Sequence, residues 1–268
     1  MPELPEVEAT VRYLAERITG EVITDTQLLW ERTLATHSPL ELKKLLAGAS
    51  IERAFRRGKF VGLSLSGRGD LYLFIHLRMS GSLDVISSDN PLHHHDRVSI
   101  ELSSGKSIRF NDTRKFGRIY LYTSLAEIEK KLGIEPLLES FTPQFLYALL
   151  QGSRGKIKPL LLDQSFIAGL GNIYVDESLW KAAIHPNTIA HTISMRKVTA
   201  LHQAIQETLK EAISLLGTDF GDNVVHGGMY RPSVYGREGE PCARCGRAIL
   251  RIVVGQRGTH ICTRCQKE

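Results

Sequence analysis

Residues 242–265 read CARC-GRAILRIVVGQRGTHI-CTRC, two CxxC pairs that contain all four cysteines of the chain. This spacing is typical of a zinc ribbon, in which four thiolates hold one tetrahedral Zn²⁺ and leave no open coordination position. The alternative, two disulfides, suits secreted proteins. The sequence therefore predicts a structural zinc site that holds a small β-hairpin without a core of its own. The four predicted ligands are Cys242, Cys245, Cys262 and Cys265.

Positive charge is grouped along the chain. Lys and Arg exceed Asp and Glu by 34 to 29, which gives a net charge of +5 and a pI near 9.0. Short basic clusters occur at residues 53–59, 109–118, 154–158 and 244–264. Each cluster is compatible with a solvated face, but together they favour a surface that follows phosphates. Arg257 would stand near the tip of the zinc-bound hairpin, where its guanidinium could reach a groove or a phosphate.

The composition is that of a globular protein with two domains. The 268 residues are 42% hydrophobic and 24% charged, and no apolar run approaches the ~20 residues of a membrane span. The acidic N-terminus contains no apolar signal core, so we expect a cytoplasmic protein.

The order of elements predicts an α+β fold. Residues 22–122 contain short β-rich runs at a spacing typical of a sandwich or barrel, and Val98, Ile100 and Leu102 alternate as on a half-buried strand. Helical patterns dominate afterwards. We predict an N-terminal β-sandwich domain (1–125), a linker (126–140), a helical domain (141–217), a loop (218–235) and a zinc finger (236–268).

The first eight residues, MPELPEVE, are compatible with two interpretations. If Met1 is removed, the secondary amine of Pro2 becomes the N-terminus, and the carboxylates of Glu3, Glu6 and Glu8 lie within reach of it. An α-amino group is less basic than a lysine and can form a Schiff base. Alternatively, Pro followed by acidic residues is ordinary N-terminal helix sequence. These residues alone leave both interpretations open.

Taken in order, the motifs of the chain resemble those of the formamidopyrimidine-DNA glycosylases, a family in the same superfamily as endonuclease VIII. The matching motifs are MPELPEVE (1–8), RRGKF (56–60), HLRMSGSL (76–83), NDTRKFGR (111–118), KPLLLDQSFIAGLGNIYVDE (158–177) and VYGREGEPC (234–242) leading to QRGTHICTRC (256–265). The resemblance implies a β-sandwich flanked by helices, followed by a helix-two-turn-helix domain and a zinc finger. It also implies one structural zinc, a monomer, and double-stranded DNA with oxidised bases or abasic sites as partner.

The resemblance further implies a bifunctional reaction. Pro2 attacks C1′ of the lesion nucleotide, the oxidised base leaves, and the resulting iminium promotes β- and δ-elimination. Glu3 is implied as the acid/base, Glu6 as a supporting carboxylate, Lys59 as a phosphate contact that aids proton transfer, and Arg257 as the proton donor for δ-elimination. The residues implied to bind DNA or fill the void left by the flipped base are Met79, His95, Arg114, Phe116, Arg154, Lys158 and Asn172.

Several alternatives stay open beside these roles. By periodicity, Met79 and Phe116 suit a core, and Lys59 suits a solvated strand end. Lys115 stands where the family usually has Arg, so a bidentate phosphate contact becomes a point charge. The loop at 218–235 is short and resembles the endonuclease VIII branch, whereas LPEVE and GNIY point to the formamidopyrimidine branch. We therefore expect formamidopyrimidines and further-oxidised guanines to be better substrates than 8-oxoguanine, with an endonuclease VIII-like preference for oxidised pyrimidines as an alternative. A catalytically silent binder of damaged DNA is the remaining alternative.

Overall fold

The computed structural model describes residues 1–67, 69–218 and 227–267, and these form two compact units. Of the described residues, the first unit contains 1–67, 69–130 and 227–228, and the second contains 131–218 and 229–267. The break after Lys130 falls within the stretch that the sequence assigns to a linker, although the individual domain boundaries stay a prediction. Within the described residues, no helix is long and apolar enough to cross a membrane.

Helices and strands follow one another in the described residues in an α+β order. The helices are α1 Leu4–Ile18, α2 Pro39–Leu46, α3 Ala126–Glu129, α4 Pro143–Gln151, α5 Ile157–Leu162, α6 Asn172–Lys181 and α7 Met195–Ser214. The strands are β1 Ile23–Leu28, β2 Ser50–Arg57, β3 Phe60–Ser66, β4 Leu71–His76, β5 Gly81–Ser87, β6 Asp96–Leu102, β7 Lys106–Asp112, β8 Arg118–Tyr122, β9 Leu250–Val254 and β10 Arg257–Ile261.

The first unit is the predicted β-sandwich. Two antiparallel four-stranded sheets, ordered β1-β6-β7-β5 and β2-β3-β4-β8, share one apolar core. Helix α1 packs on β2 and β3, and α2 packs on β1. Val98, Ile100 and Leu102 are buried as the alternation predicts, but Ser99 between them is buried as well. The reason is that the loop after β5 lies over the other face of the sheet, where Ser88 donates to Glu101 (2.5 Å).

Helix α1 forms because its sequence places apolar residues on one stripe and a stop at the end. Val7, Val11, Leu14 and Ile18 are all buried, which confirms the predicted helical face. Pro5 lies in the first turn, where its missing N–H is not needed. Gly20 adopts φ +84°, a conformation that favours glycine after a helix.

The second unit combines helices with the zinc-finger hairpin. Helix α7 packs against α4 and α6, and its apolar stripe, including Val198, Leu201 and Ile205, is buried as predicted. The hairpin β9-β10 has only a small cluster of its own, in which Trp180 of α6 packs with Ile249 and the cysteines. The four cysteines are therefore needed to hold a segment that lacks an independent core. The α+β fold class, with its sandwich, helical domain and zinc finger, is confirmed.

Candidate functional site

The N-terminus of α1 holds Pro2, Glu3 and Glu6 in an ordered arrangement. Pro2 is buried, and Glu3 and Glu6 are 2% and 0% exposed. One oxygen of the Glu6 carboxylate, Oε2, accepts the backbone N–H of Glu3 at 2.7 Å. Glu6 therefore performs the helix-start role and, in the same contact, fixes the backbone that carries Pro2 and Glu3. The two interpretations of the first eight residues are thus compatible with each other.

Lys59 lies in the two-residue turn that joins β2 to β3. Arg57 pairs with Phe60, so Gly58 and Lys59 form the turn, and Gly58 adopts φ +56°. Arg56 donates to the Glu8 carboxylate at 3.1 Å, which ties this hairpin to the beginning of α1. Lys59 is only 5% exposed, which excludes the solvated strand-end alternative. Lys59 is thus a nearly buried lysine in a hairpin that Arg56 ties to the beginning of α1.

His76 is a neighbour of Lys59 that the sequence analysis missed. It pairs with Phe60 across the sheet, and its Nδ1 accepts the backbone N–H of Arg78 at 3.0 Å. Burial, together with the charges of Arg78 and Lys59, lowers the pKa of His76 to about 3. The imidazole therefore stays neutral and adds no cation beside Lys59. Its only signal in the sequence is its position at the start of HLRMSGSL.

Met79 and Phe116 are exposed apolar side chains on adjoining loops of the first unit. Met79, in the turn between β4 and β5, is 43% exposed, and Phe116, in the loop between β7 and β8, is 48% exposed. The core interpretation of these two residues is therefore wrong. The guanidinium of Arg114 lies 4.8 Å from the centre of the Phe116 ring. Two exposed apolar residues beside an arginine suit insertion into a base stack.

His95 precedes β6 and is oriented by a buried arginine. Arg97 is 5% exposed, and its Nη2 lies 3.2 Å from Nδ1 of His95. A guanidinium can only donate, so Nδ1 is the acceptor and the ring proton resides on Nε2. Burial and the nearby charges of His94 and Arg97 lower the pKa of His95. Among the described residues, the metal-ligand cluster consists of cysteines and does not include His93, His94 or His95.

Lys115, the departure from the family pattern, stacks on an indole. It adopts φ +60°, and its Nζ lies 4.0 Å from the centre of the Trp30 ring. Such cation–π contacts are worth ~0.5–1 kcal/mol at exposed sites. The side chain is therefore held as a point charge beside Arg114 and Phe116, and Trp30 is a contact that the sequence analysis did not anticipate.

Lys158 occupies a different environment from the one its predicted role requires. It is 0% exposed, and Nζ donates to Oδ1 of Asp176 (2.6 Å), Oγ1 of Thr259 (2.7 Å) and the carbonyl of Gly258 (3.2 Å). Asp176 also accepts the backbone N–H of His260 at 2.9 Å. The ammonium thus faces protein acceptors in the interior. It joins α5 and α6 to β10 where a DNA contact was predicted.

Asn172 and Arg257 meet at the same hairpin. Asn172 begins α6, and its Nδ2 donates to the Gly258 carbonyl at 2.9 Å. Gly255 and Gln256 form the β9-β10 turn with φ +55° and +63°, so Arg257 follows directly and is exposed. A Cβ on Gly255 would lie 2.8 Å from Cγ of Pro159, which shows how closely the turn approaches α5. Arg154, also exposed, lies in the turn before α5.

The four cysteines have the geometry of a complete zinc site. All four Sγ atoms lie within 4.8 Å of one another, with Cys242–Cys265 at 3.9 Å and Cys245–Cys262 at 3.4 Å. Zn–S bonds of ~2.3 Å in a tetrahedron require S–S distances of ~3.8 Å. The residues fit one structural zinc, and this prediction is confirmed.

Arg244 and Glu177 attach the neighbouring segments to α6, and the sequence analysis missed both roles. Arg244 donates to the carbonyls of Trp180 (2.7 Å) and Lys181 (2.9 Å) and stacks 4.1 Å from the Trp180 ring. It therefore caps the end of α6, a role in addition to its place in the basic cluster. Glu177 is fully buried and accepts the N–H groups of residues 233–235, while its burial raises its pKa. The predicted loop at 218–235 falls partly on residues 219–226, which lie outside the described residues.

Comparison with known proteins covers the whole chain. Residues 1–119 match the model of the formamidopyrimidine-DNA glycosylase N-terminal domain, residues 132–222 its H2TH domain, and residues 239–267 a zinc finger found in FPG and IleRS. The formamidopyrimidine-DNA glycosylase of Brevibacillus brevis is 43% identical over 278 residues, which is 100% of this chain and 99% of that protein.

Two solved structures of the Lactococcus lactis Fpg superpose on the chain with a TM-score of 0.92 and 37% identity. One is a complex with DNA containing N7-benzyl-Fapy-dG and covers 100% of both chains. The other is a complex with DNA containing an abasic site and covers 99% of this chain and 100% of that one.

Proposed function

The chain belongs to the formamidopyrimidine-DNA glycosylase family, and we propose that it removes oxidised purines from duplex DNA and then cleaves the strand. The observation that carries this proposal is the ordered start of α1, where the Glu6 carboxylate holds the Glu3 amide (2.7 Å) beside Pro2. Such preorganisation places an amine and a carboxyl group together before a substrate arrives. The relatives bound to Fapy-dG and abasic DNA support the same chemistry.

In the proposed reaction, removal of Met1 exposes the secondary amine of Pro2. Its lone pair forms a bond to C1′, the amine nitrogen gives up its proton, and the bond from C1′ to the base breaks as the base takes up a proton. Glu3 acts as the acid/base that helps open the sugar ring. The resulting iminium carries a positive charge, which acidifies the C2′ proton and makes it removable.

Strand cleavage then proceeds in two eliminations. Loss of the C2′ proton breaks the C3′–O bond and releases one phosphate end. Loss of a further proton breaks the C5′–O bond and releases the other. We assign Lys59 to a phosphate contact that aids proton transfer, and Arg257 to the proton donation of the second elimination. Exposure of Arg257 beside a fixed turn supports its assignment.

The DNA-binding roles are distributed over both units. We propose that Met79 and Phe116 fill the stack vacated by the flipped base and that Arg114 faces the orphaned partner base. Flipping costs a few kcal/mol of unstacking, which is smallest for a damaged base. His95 is proposed to donate its Nε2–H to the DNA. Asn172, Arg154 and Arg257 are proposed backbone contacts, whereas Lys158 is proposed to hold the hairpin that carries Arg257.

We propose a preference for formamidopyrimidines and further-oxidised guanines over 8-oxoguanine, from the short loop at 218–235. An endonuclease VIII-like preference for oxidised pyrimidines is the second candidate, supported by the same stretch. We also propose that the protein acts as a cytoplasmic monomer, for which light scattering during size-exclusion chromatography is the direct check.

Base release from matched duplexes tests the proposed function. Identical duplexes carry formamidopyrimidine-guanine, 8-oxoguanine or thymine glycol, and single-turnover release is measured with wild type and Glu3→Gln. We expect release of the purine lesions by wild type and its loss in the variant. Faster release of thymine glycol would support the second candidate. Tight binding of all three duplexes without release would contradict an enzyme and favour the silent binder.

A further inference from the structure

Asp112, the last residue of β7, joins two loops through one carboxylate. It is 1% exposed. Oδ1 accepts the hydroxyl of Ser80 (2.5 Å) and the backbone N–H of Arg114 (3.2 Å), and Oδ2 accepts the N–H of Gly117 (2.7 Å). Ser80 follows Met79 in the chain, and Gly117 follows Phe116. The carboxylate therefore connects the two loops that present the exposed apolar side chains.

The backbone of Asp112 reaches a third loop. Its N–H donates to the carbonyl of His95 at 2.9 Å, and its carbonyl accepts Nε of Arg97 at 2.8 Å. Arg97 in turn donates to the carbonyl of His94 (3.1 Å) and contacts Nδ1 of His95. The side chain and backbone of Asp112 together thus link the segments that carry Met79, Phe116 and His95. These hydrogen bonds are made by neighbouring residues and backbone groups, and the Met79, Phe116 and His95 side chains take no part in them.

The surroundings of Asp112 leave its partners little room to adjust. A Cβ on Gly117 would lie 2.3 Å from Cζ of Phe110 and 3.1 Å from Oδ2 of Asp112. A Cβ on Gly81, next to Ser80, would lie 2.4 Å from the carbonyl oxygen of Leu77 in its own turn and 2.8 Å from Cε2 of Phe110 in β7. Real Cβ atoms do not approach so closely, so both loops are packed against the sheet at these glycines. Small displacements of the carboxylate partners are therefore transmitted to the exposed residues.

We infer that Asp112 is a positioning residue that holds the Met79, Phe116 and His95 loops in one arrangement, so that the exposed side chains can replace a flipped base. This inference rests on the proposed function. The backbone N–H groups of Arg114 and Gly117 can only donate, one to each carboxylate oxygen, and an ionised carboxylate is the side chain that offers an acceptor at both positions. Asparagine has the same shape, but its NH₂ group would face one of these two backbone N–H groups, and two donors cannot form a hydrogen bond with each other.

The test separates positioning from a merely structural role by varying the substrate. Single-turnover base release is measured for Asp112→Asn with the lesion paired to a normal base and with the lesion opposite an abasic analogue. In the second duplex there is no orphaned base to separate from the lesion, so the void-filling residues are less necessary. We expect release from the paired duplex to fall about ten- to hundredfold, equivalent to ~1.4–2.8 kcal/mol in the barrier. Release from the second duplex should fall much less.

Two further variants serve as a second test and as a control. Ser80→Ala removes one donor to Oδ1 and should give a smaller loss with the same substrate dependence, which decides the matter if Asp112→Asn does not fold. Asp89→Asn alters an exposed carboxylate and is the matched control, expected to match wild type. Fluorescence of 2-aminopurine opposite the lesion should show slower unstacking in Asp112→Asn.

Equal losses on both duplexes, or wild-type release from the paired duplex, would overturn the positioning role. Failure of wild type itself to release any lesion would instead count against the proposed function.

Discussion

Replacement of Lys158 by methionine should destabilise the second unit strongly. Methionine keeps much of the volume but removes the ammonium, so the Asp176 carboxylate, also 0% exposed, is left without its cation. Removing one partner of a buried ion pair costs ~3–5 kcal/mol, because the remaining charge stays desolvated. The fully enclosed geometry, with an Nζ–Oδ1 distance of 2.6 Å, places the expected loss within that range. For a unit of this size it corresponds to a fall of roughly 10–20 °C in melting temperature.

Thermal unfolding is monitored by circular dichroism for Lys158→Met and for two comparison variants. Lys210→Met removes an exposed lysine of α7 and should change the melting temperature little. Lys158→Met/Asp176→Leu removes both charges and should recover part of the loss, although the acceptor for the His260 N–H is gone as well. A melting temperature of Lys158→Met within a few degrees of wild type would refute the argument from burial.

DNA binding distinguishes this role from the direct phosphate contact that the sequence predicted. Each phosphate contact on duplex DNA contributes ~0.9 to the slope of log K against log salt. If Lys158 acts only by holding the hairpin, the slope measured below the melting temperature of Lys158→Met should equal that of wild type. If the slope of Lys158→Met is smaller than that of wild type by about 0.9, the value for one phosphate contact, and the melting temperature is unchanged, then the lysine contacts DNA directly.

Three other predictions concern single sites. The pKa of His76 is lowered to about 3 in the folded protein, whereas that of an unfolded histidine is ~6.5. As the pH falls below ~6.5, only the unfolded chain takes up this proton. The free energy of unfolding therefore decreases by ~1.4 kcal/mol for each pH unit. His76→Phe should therefore lose less stability than wild type between pH 6.5 and 4 in urea titrations, and parallel losses would contradict this. Nitrogen-15 NMR at pH 7 should show His95 as the Nε2–H tautomer, and an Nδ1–H tautomer would disprove the Arg97 contact. Zinc chelation or Cys245→Ala should abolish DNA binding while the sandwich keeps its near-ultraviolet spectrum, and undiminished affinity after verified zinc loss would refute that requirement.

Features that depend on local spacing were predictable from the sequence. The apolar residues of α1 recur every three or four positions, and the spacing of the cysteine pairs is itself typical of a zinc ribbon. Both features could therefore be predicted without tertiary information. The individual strands were harder to predict: the run SIERAFRR in β2, for example, is rich in charge and lacks clean alternation. Their pairing depends on neighbours distant in the chain.

The residues of the candidate site could be proposed from the family motifs. Which of them are buried could not be predicted from the sequence. The partners of Lys158 lie 18 and 101 residues away in the chain, so no local pattern marks that lysine as buried. Asp112 similarly gains its role from Ser80, Arg97 and His95, which belong to other segments. Conversely, Met79 and Phe116 are exposed although their periodicity suits a core. The proposed void-filling role would explain such apolar groups at the surface.

Borohydride trapping on DNA with an abasic site tests the central claim most directly. Protein whose N-terminal Pro2 has been verified by mass spectrometry is incubated with the duplex, reduced and digested. The account predicts a covalent adduct on the N-terminal peptide, at the nitrogen of Pro2. An adduct on Lys59 or another lysine, or no adduct from protein with a verified N-terminal proline, would contradict it.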